Sequence, residues 1–85
     1  MTTAYREIVN ITPRQLEILT FLSRRERWSV GEIASVLGVS SAAATKAVTR
    51  LERKGLVKRA ENMMDRRCVD VSLTRSGSEA VRRAS

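Results

Sequence analysis

From Thr12 onward short apolar bursts alternate with polar gaps, and their spacing changes from helical to strand-like near Gly55. Leu16, Ile18, Leu19 and Leu22 span about 160° of a helical wheel, and Phe21 widens the stripe. One flat neighbour would not cover so broad a face, so this helix is expected at the centre of the fold, packed on two sides. One of those sides can be a second subunit. Thr12 is a good N-cap, Pro13 suits the first helical position, and Gln15 completes a Thr-x-x-Gln capping box, which predicts a helix over 13–25. Upstream, Tyr5, Ile8 and Val9 have the spacing of a short helix within 4–11.

The run RWSV at 27–30 reads as a single edge strand. Ser29 and Glu32 then form a second capping box, opening a helix whose Ile33, Ala34 and Leu37 share one face. Gly38 stops it, because glycine alone enters the left-handed conformation without a Cβ penalty. Ser40 caps a third helix that runs to Lys54, with Ala44, Ala47, Val48 and Leu51 facing the core. Its opposite face carries Ala42, Thr45, Lys46, Thr49, Arg50 and Arg53.

Beyond Gly55, LVKRA and CVDVSL read as two strands around ENMMDRR, with Val69, Val71 and Leu73 inward and Cys68, Asp70 and Ser72 outward. Thr74 is placed to cap a short C-terminal helix within 75–85. With no repeat, linker or low-complexity stretch, residues 1–85 are expected to form one domain, with 1–11 as a short N-terminal segment or helix. Helix, glycine turn, helix and hairpin together predict an α+β, mainly α, winged helix-turn-helix: a three-helix core plus a two- to three-stranded β-wing.

Charge gives this scaffold a direction. The chain carries 16 Lys and Arg against 9 Asp and Glu, a formal net charge of +7. The excess is concentrated in residues 41–85, where eleven basic side chains face five acidic ones. Such a balance favours an anionic partner, nucleic acid above all. The common zinc sites and histidine-based catalysis have no residues to work with, since the chain has no histidine and one cysteine. No enzyme activity, cofactor or metal is expected. No apolar run approaches the ~18 residues of a membrane span, and the N-terminus lacks the apolar stretch of a signal peptide, so a cytoplasmic, nucleoid-associated protein is expected.

Double-stranded DNA is the expected partner. A helix over 41–54 would enter a major groove about 12 Å wide with Ala42, Thr45, Lys46, Thr49 and Arg50, while Ser40 and Ser41 sit where free backbone N–H groups favour a phosphate. Lys54 is expected at the phosphate backbone. So are Arg53, Lys58 and Arg66.

The run SVGEIASVLGVSSAAATKAVTRLERKGLVKRAENMMDRRCVDVSLTRSG resembles the DNA-binding core of the MarR (multiple-antibiotic-resistance regulator) family. The likeness rests on Leu51, Glu52, Gly55, Leu56 and Val57, then Asp65-x-Arg67 followed by Leu73-Thr74. It implies a winged-helix transcriptional regulator, a repressor by analogy, that binds a pseudo-palindromic operator as a homodimer. Arg67 would then reach the minor groove from a wing at 61–67, Asp65 would orient the wing's basic side chains, and Arg66 would meet phosphate. Family members carry long terminal helices that interlock into the dimer; the expectation here is a minimal version lacking most of them. It either pairs through Tyr5, Ile8, Phe21 and the last helix or is a core without its dimer arms. A small-molecule effector has little to recommend it, since the family's pocket lies beside those helices.

A competing reading keeps the fold and changes the partner: a winged-helix protein-interaction module, an antirepressor or accessory factor. Cys68 invites a redox reading, with Arg66 and Arg67 lowering its pKa, against which stands an incidental residue, because the sensing cysteine of peroxide-sensing relatives lies near the N-terminus. Met63 and Met64 either fill the hairpin or touch a minor groove. Trp28 reads as a packing anchor.

Overall fold

A computed structural model describes residues 10–84. The helix expected within 4–11 falls outside these, apart from Asn10 and Ile11, which are not helical. Among the described residues the order is α1 (Pro13–Leu22), β1 (Trp28–Ser29), α2 (Val30–Leu37), α3 (Ser41–Arg53), β2 (Val57–Glu61), β3 (Val69–Leu73) and α4 (Arg75–Ala84). The sheet is antiparallel in the order β1-β3-β2, so β1 is an edge strand as expected.

Both capping boxes form. Thr12 accepts from the Gln15 N–H at 3.1 Å while Gln15 Oε1 accepts from the Thr12 N–H, and Ser29 and Glu32 repeat the exchange at the start of α2. Helix α1 ends at Leu22 and not at residue 25. The cause lies across the fold: the Trp28 indole N–H donates to the Leu22 carbonyl at 2.9 Å, and the chain must turn after Ser23 to bring Trp28 into the sheet. Trp28 is buried against Phe21, ring centroids 4.3 Å apart, and so is the anchor its type suggested.

The core joins Ile18, Leu19 and Leu22 of α1, Ile33 and Ala34 of α2, Ala44, Val48 and Leu51 of α3, and Leu56, Val57 and Val71 from the wing root. Burying a side chain such as Leu19 or Leu51 contributes roughly 1.5–3 kcal/mol each. Gly38 adopts φ 70°, which lets the chain reverse between α2 and α3 within three residues.

The expected inward row on β3 is only partly realised. Val71 is buried and Leu73 half-buried, but Val69 is 38% exposed, because it pairs with Glu61 at the turn end of the hairpin, farthest from the core. Cys68 precedes the strand and lies exposed in the turn. Helix α4 is fastened to the wing root by Thr74, whose N–H donates to the Leu56 carbonyl at 3.0 Å and whose hydroxyl donates to the Gly55 carbonyl at 2.6 Å. The same hydroxyl accepts from the Gly77 N–H, making Thr74 the expected cap. Gly77 is buried so tightly that a Cβ there would overlap the Leu56 carbonyl.

Candidate nucleic-acid interface

Helix α3 presents an exposed polar face because its residues separate cleanly. Ala44, Val48 and Leu51 are buried, whereas Ser41, Ala42, Thr45, Lys46, Arg50 and Arg53 are exposed. The small residues of the first two turns keep the backbone close to whatever approaches it. Ser40 is the cap, its hydroxyl accepting from the Ala43 N–H at 3.1 Å, which leaves the N–H groups of Ser41 and Ala42 outside the helical ladder. Hydroxyls, N–H donors and the Lys46 and Arg50 cations thus share one convex face.

Two residues expected to contact DNA have partners within the chain. Thr49 is half-buried, and its Oγ1 accepts from the Arg59 guanidinium at 2.6 Å. Arg59 also pairs with Glu52 at 3.0 Å, so one side chain on β2 grips two on α3 and fixes the wing against that helix. Lys54 departs further. Its Nζ donates to Gln15 Oε1 at 2.7 Å and to the Asn10 carbonyl, which turns the ammonium onto the start of α1 and away from the outward face. The physical reason is that Gln15 and Asn10 together offer two oxygen acceptors within reach of the ammonium at the start of α1.

The wing tip is an ordered turn. The Asn62 N–H donates to the Cys68 carbonyl at 3.1 Å, closing the hairpin, and the Cys68 N–H donates to the Asp65 carbonyl at 3.0 Å. Inside this loop Asn62 Oδ1 accepts from the N–H groups of Met64 and Asp65 at 2.8 and 2.9 Å, while its amide donates to both Asp70 oxygens at 3.1–3.2 Å. Asp65 in turn accepts from the Arg67 N–H at 3.0 Å and from Arg67 Nε at 3.3 Å. The Arg67 side chain is 91% exposed yet tethered at its base, and Arg66 stands exposed beside it. Met63 and Met64 are 93% and 94% exposed and fill no space in the hairpin.

Electrostatics follows this geometry. The Arg67 backbone N–H, reinforced by its side chain, holds the Asp65 carboxyl below its ordinary pKa. The same carboxylate pushes the Cys68 thiol up, the opposite of the expected influence of Arg66 and Arg67, because Asp65 Oδ2 lies 3.6 Å from Cys68 Sγ. The thiolate is therefore disfavoured. Arg59 and Asn62 have no role among the sequence-based expectations, Glu52 enters only through the family likeness, and Asp70 only as an outward strand residue. For Asn62 a signal was present, an asparagine just after a strand being a favoured Asx-turn former; the Arg59 grip spans two elements and leaves no local signature.

A sequence model described as the MarR family matches residues 11–69. The HTH-type transcriptional repressor MdtR of Bacillus subtilis is 42% identical over 67 residues, covering 79% of this chain and 43% of that protein. Transcriptional repressor MprA of Escherichia coli is 36% identical over 66 residues, 75% of this chain and 38% of that protein. The chain thus spans less than half the length of these relatives. Among solved structures, S. aureus MepR in complex with DNA superposes with a TM-score of 0.85 at 26% identity, covering 98% of this chain and 68% of that one. A mutant of E. coli MarR complexed with operator DNA gives 0.83 at 31% identity, covering 94% and 57%.

Proposed function

This chain belongs to the MarR family, and on that premise we propose that it is a sequence-specific double-stranded DNA-binding regulator, acting as a repressor on the nucleoid. The observation that carries the proposal is the pairing of the small, hydroxylated, cationic face of α3 with a hydrogen-bonded basic wing tip. Relatives named as repressors and solved DNA complexes of similar chains support it.

In the proposed complex α3 enters the major groove. Ser40 and Ser41 meet a phosphate at the helix N-terminus, and Ala42, Thr45 and Lys46 face base edges. Thr49 remains on this face with its hydroxyl hydrogen free to donate, since its oxygen is the acceptor for Arg59. Arg50, Arg53 and Arg66 contact the backbone, and Arg67 reaches the minor groove, where width and negative potential attract arginine. Lys54 is proposed as a brace between α3 and α1 in place of a DNA contact.

Two chains together would place two recognition helices about 34–36 Å apart, the spacing that reads a palindrome. The half-buried Phe21, beside Leu16 and Val81 between α1 and α4, is the apolar surface on the described residues that suits such pairing. Among the described residues, no helix is long and apolar enough to cross a membrane. Fluorescence anisotropy with random and selected duplexes tests the proposal. Nanomolar binding that is lost in the charge reversals Lys46→Glu and Arg67→Glu, with unchanged circular dichroism, is expected; no binding at low salt would refute it.

A further inference from the structure

Wing arginines can read a groove only if the finger that carries them is held still, and the structure shows what holds this one. Four residues form a continuous hydrogen-bonded line from the sheet to the tip, its Asn62–Asp65 link made by the Asp65 backbone N–H. Asp70 on β3 accepts twice from the Asn62 amide, which orients that amide and aims its oxygen into the loop. The oxygen accepts from the Met64 and Asp65 N–H groups, and the Asp65 carboxylate then accepts from Arg67. No apolar packing assists, because Met63 and Met64 are almost fully exposed. The loop's order therefore rests on polar contacts, and Asn62 is the member that joins the sheet to the tip.

We infer that Asn62, oriented by Asp70, is a positioning residue for DNA recognition: it pre-orders the wing so that the entropy of fixing Arg67 is spent in folding and not in binding. The inference rests on the DNA-binding reading for its functional half; the ordering half is independent of it. Asparagine suits the position because a single side chain must accept from two N–H groups and donate to a carboxylate at once. A leucine of similar size would do neither, and an aspartate would confront Asp70 with like charge.

That reciprocity supplies the test. In Asn62→Ala the loop loses all four contacts of the amide, so Met64 and Asp65 N–H exchange protection should fall to that of an open loop. Duplex affinity should weaken about tenfold in a domain that stays folded, its thermal midpoint lowered by roughly 4–8 °C. The swap N62D/D70N leaves the net charge unaltered and reverses donor and acceptor across the pair, keeping both acceptances from the loop N–H groups. It should restore protection and bring affinity to within about threefold of wild type. The single variant N62D, with two carboxylates face to face, should bind worse than either.

Unchanged exchange at Met64 and Asp65 in Asn62→Ala would overturn the ordering role, and a swap no better than Asn62→Ala would overturn the pairing with Asp70. Full affinity in Asn62→Ala, where Arg67→Ala has lost it, would overturn the role in recognition. If the wild type binds no duplex while exchange follows the expected pattern, the DNA reading fails, the recognition role falls with it, and the ordering stands.

Discussion

Replacing Lys46 and Lys54 separately by glutamine distinguishes two lysines that look equivalent on one helix. Lys46 is exposed on the outer face of α3, whereas the Lys54 ammonium is committed to Gln15 and Asn10. Each phosphate neutralised contributes a slope of about −0.9 to log K against log salt. With Lys46, Arg50, Arg53, Arg66 and Arg67 each displacing about one counterion, whether they lie at a phosphate or in a groove between phosphates, the wild-type slope per chain should be about −4.5, or roughly a 500-fold loss between 50 and 200 mM salt. Lys46→Gln should flatten this to about −3.6, a loss of roughly 150-fold over the same range. Lys54→Gln should leave the slope alone and appear in stability instead. Loss of two charge-assisted hydrogen bonds at a half-buried site costs about 1 kcal/mol after solvent screening, or a fall of roughly 4–8 °C in Tm for a domain of this size. Anisotropy titrations at four salt concentrations, with thermal melts of the same samples, give both numbers. A slope that flattens equally in both variants would refute the assignment of Lys54 as a brace, and an unchanged slope in Lys46→Gln would remove Lys46 from the interface.

Gly77→Ala places a methyl group on the Leu56 carbonyl and should cost about 1–3 kcal/mol or more as overpacking, read by urea or thermal unfolding. Cys68 should alkylate more slowly than free cysteine at neutral pH, because Asp65 disfavours its thiolate, and Asp65→Asn should speed the reaction; iodoacetamide kinetics followed by mass spectrometry decide this. Asp65 has a folded pKa below its ordinary 3.8, so its stabilisation of the turn is complete above that value and is lost as pH falls through the lower, folded value. Wing exchange protection, corrected for intrinsic rate, should therefore stay constant between pH 5 and 8 and collapse only in strong acid, as hydrogen exchange by nuclear magnetic resonance would show.

Much of this architecture is written in local chemistry. The capping boxes at Thr12 and Ser29, the left-handed Gly38 and the apolar faces of α1 and α3 each depend on residues within four positions of one another, and these match the structure. Departures occur where a residue answers to a distant partner. Leu22 ends α1 because Trp28 takes its carbonyl, Val69 is uncovered because it lies at the turn end of the hairpin, farthest from the core, and Lys54 turns inward because α1 presents two acceptors.

The same distinction applies to the interface. Exposure, helical face and charge sign are periodic properties, so Ala42, Thr45, Lys46 and Arg50 could be picked out from spacing alone. Orientation is not periodic. Arg67 is aimed by a line of hydrogen bonds that begins at Asp70 on β3 and passes through Asn62 across the turn, and the wing is set against α3 by Arg59 acting on Thr49 and Glu52. Groups that would touch a partner are marked by composition and spacing, whereas those that hold them in place are marked weakly, as Asn62 is by following a strand, or not at all, as with Arg59. Asn62 and Arg59 belong to the second kind, so substitutions there should alter recognition while leaving every contacting side chain intact.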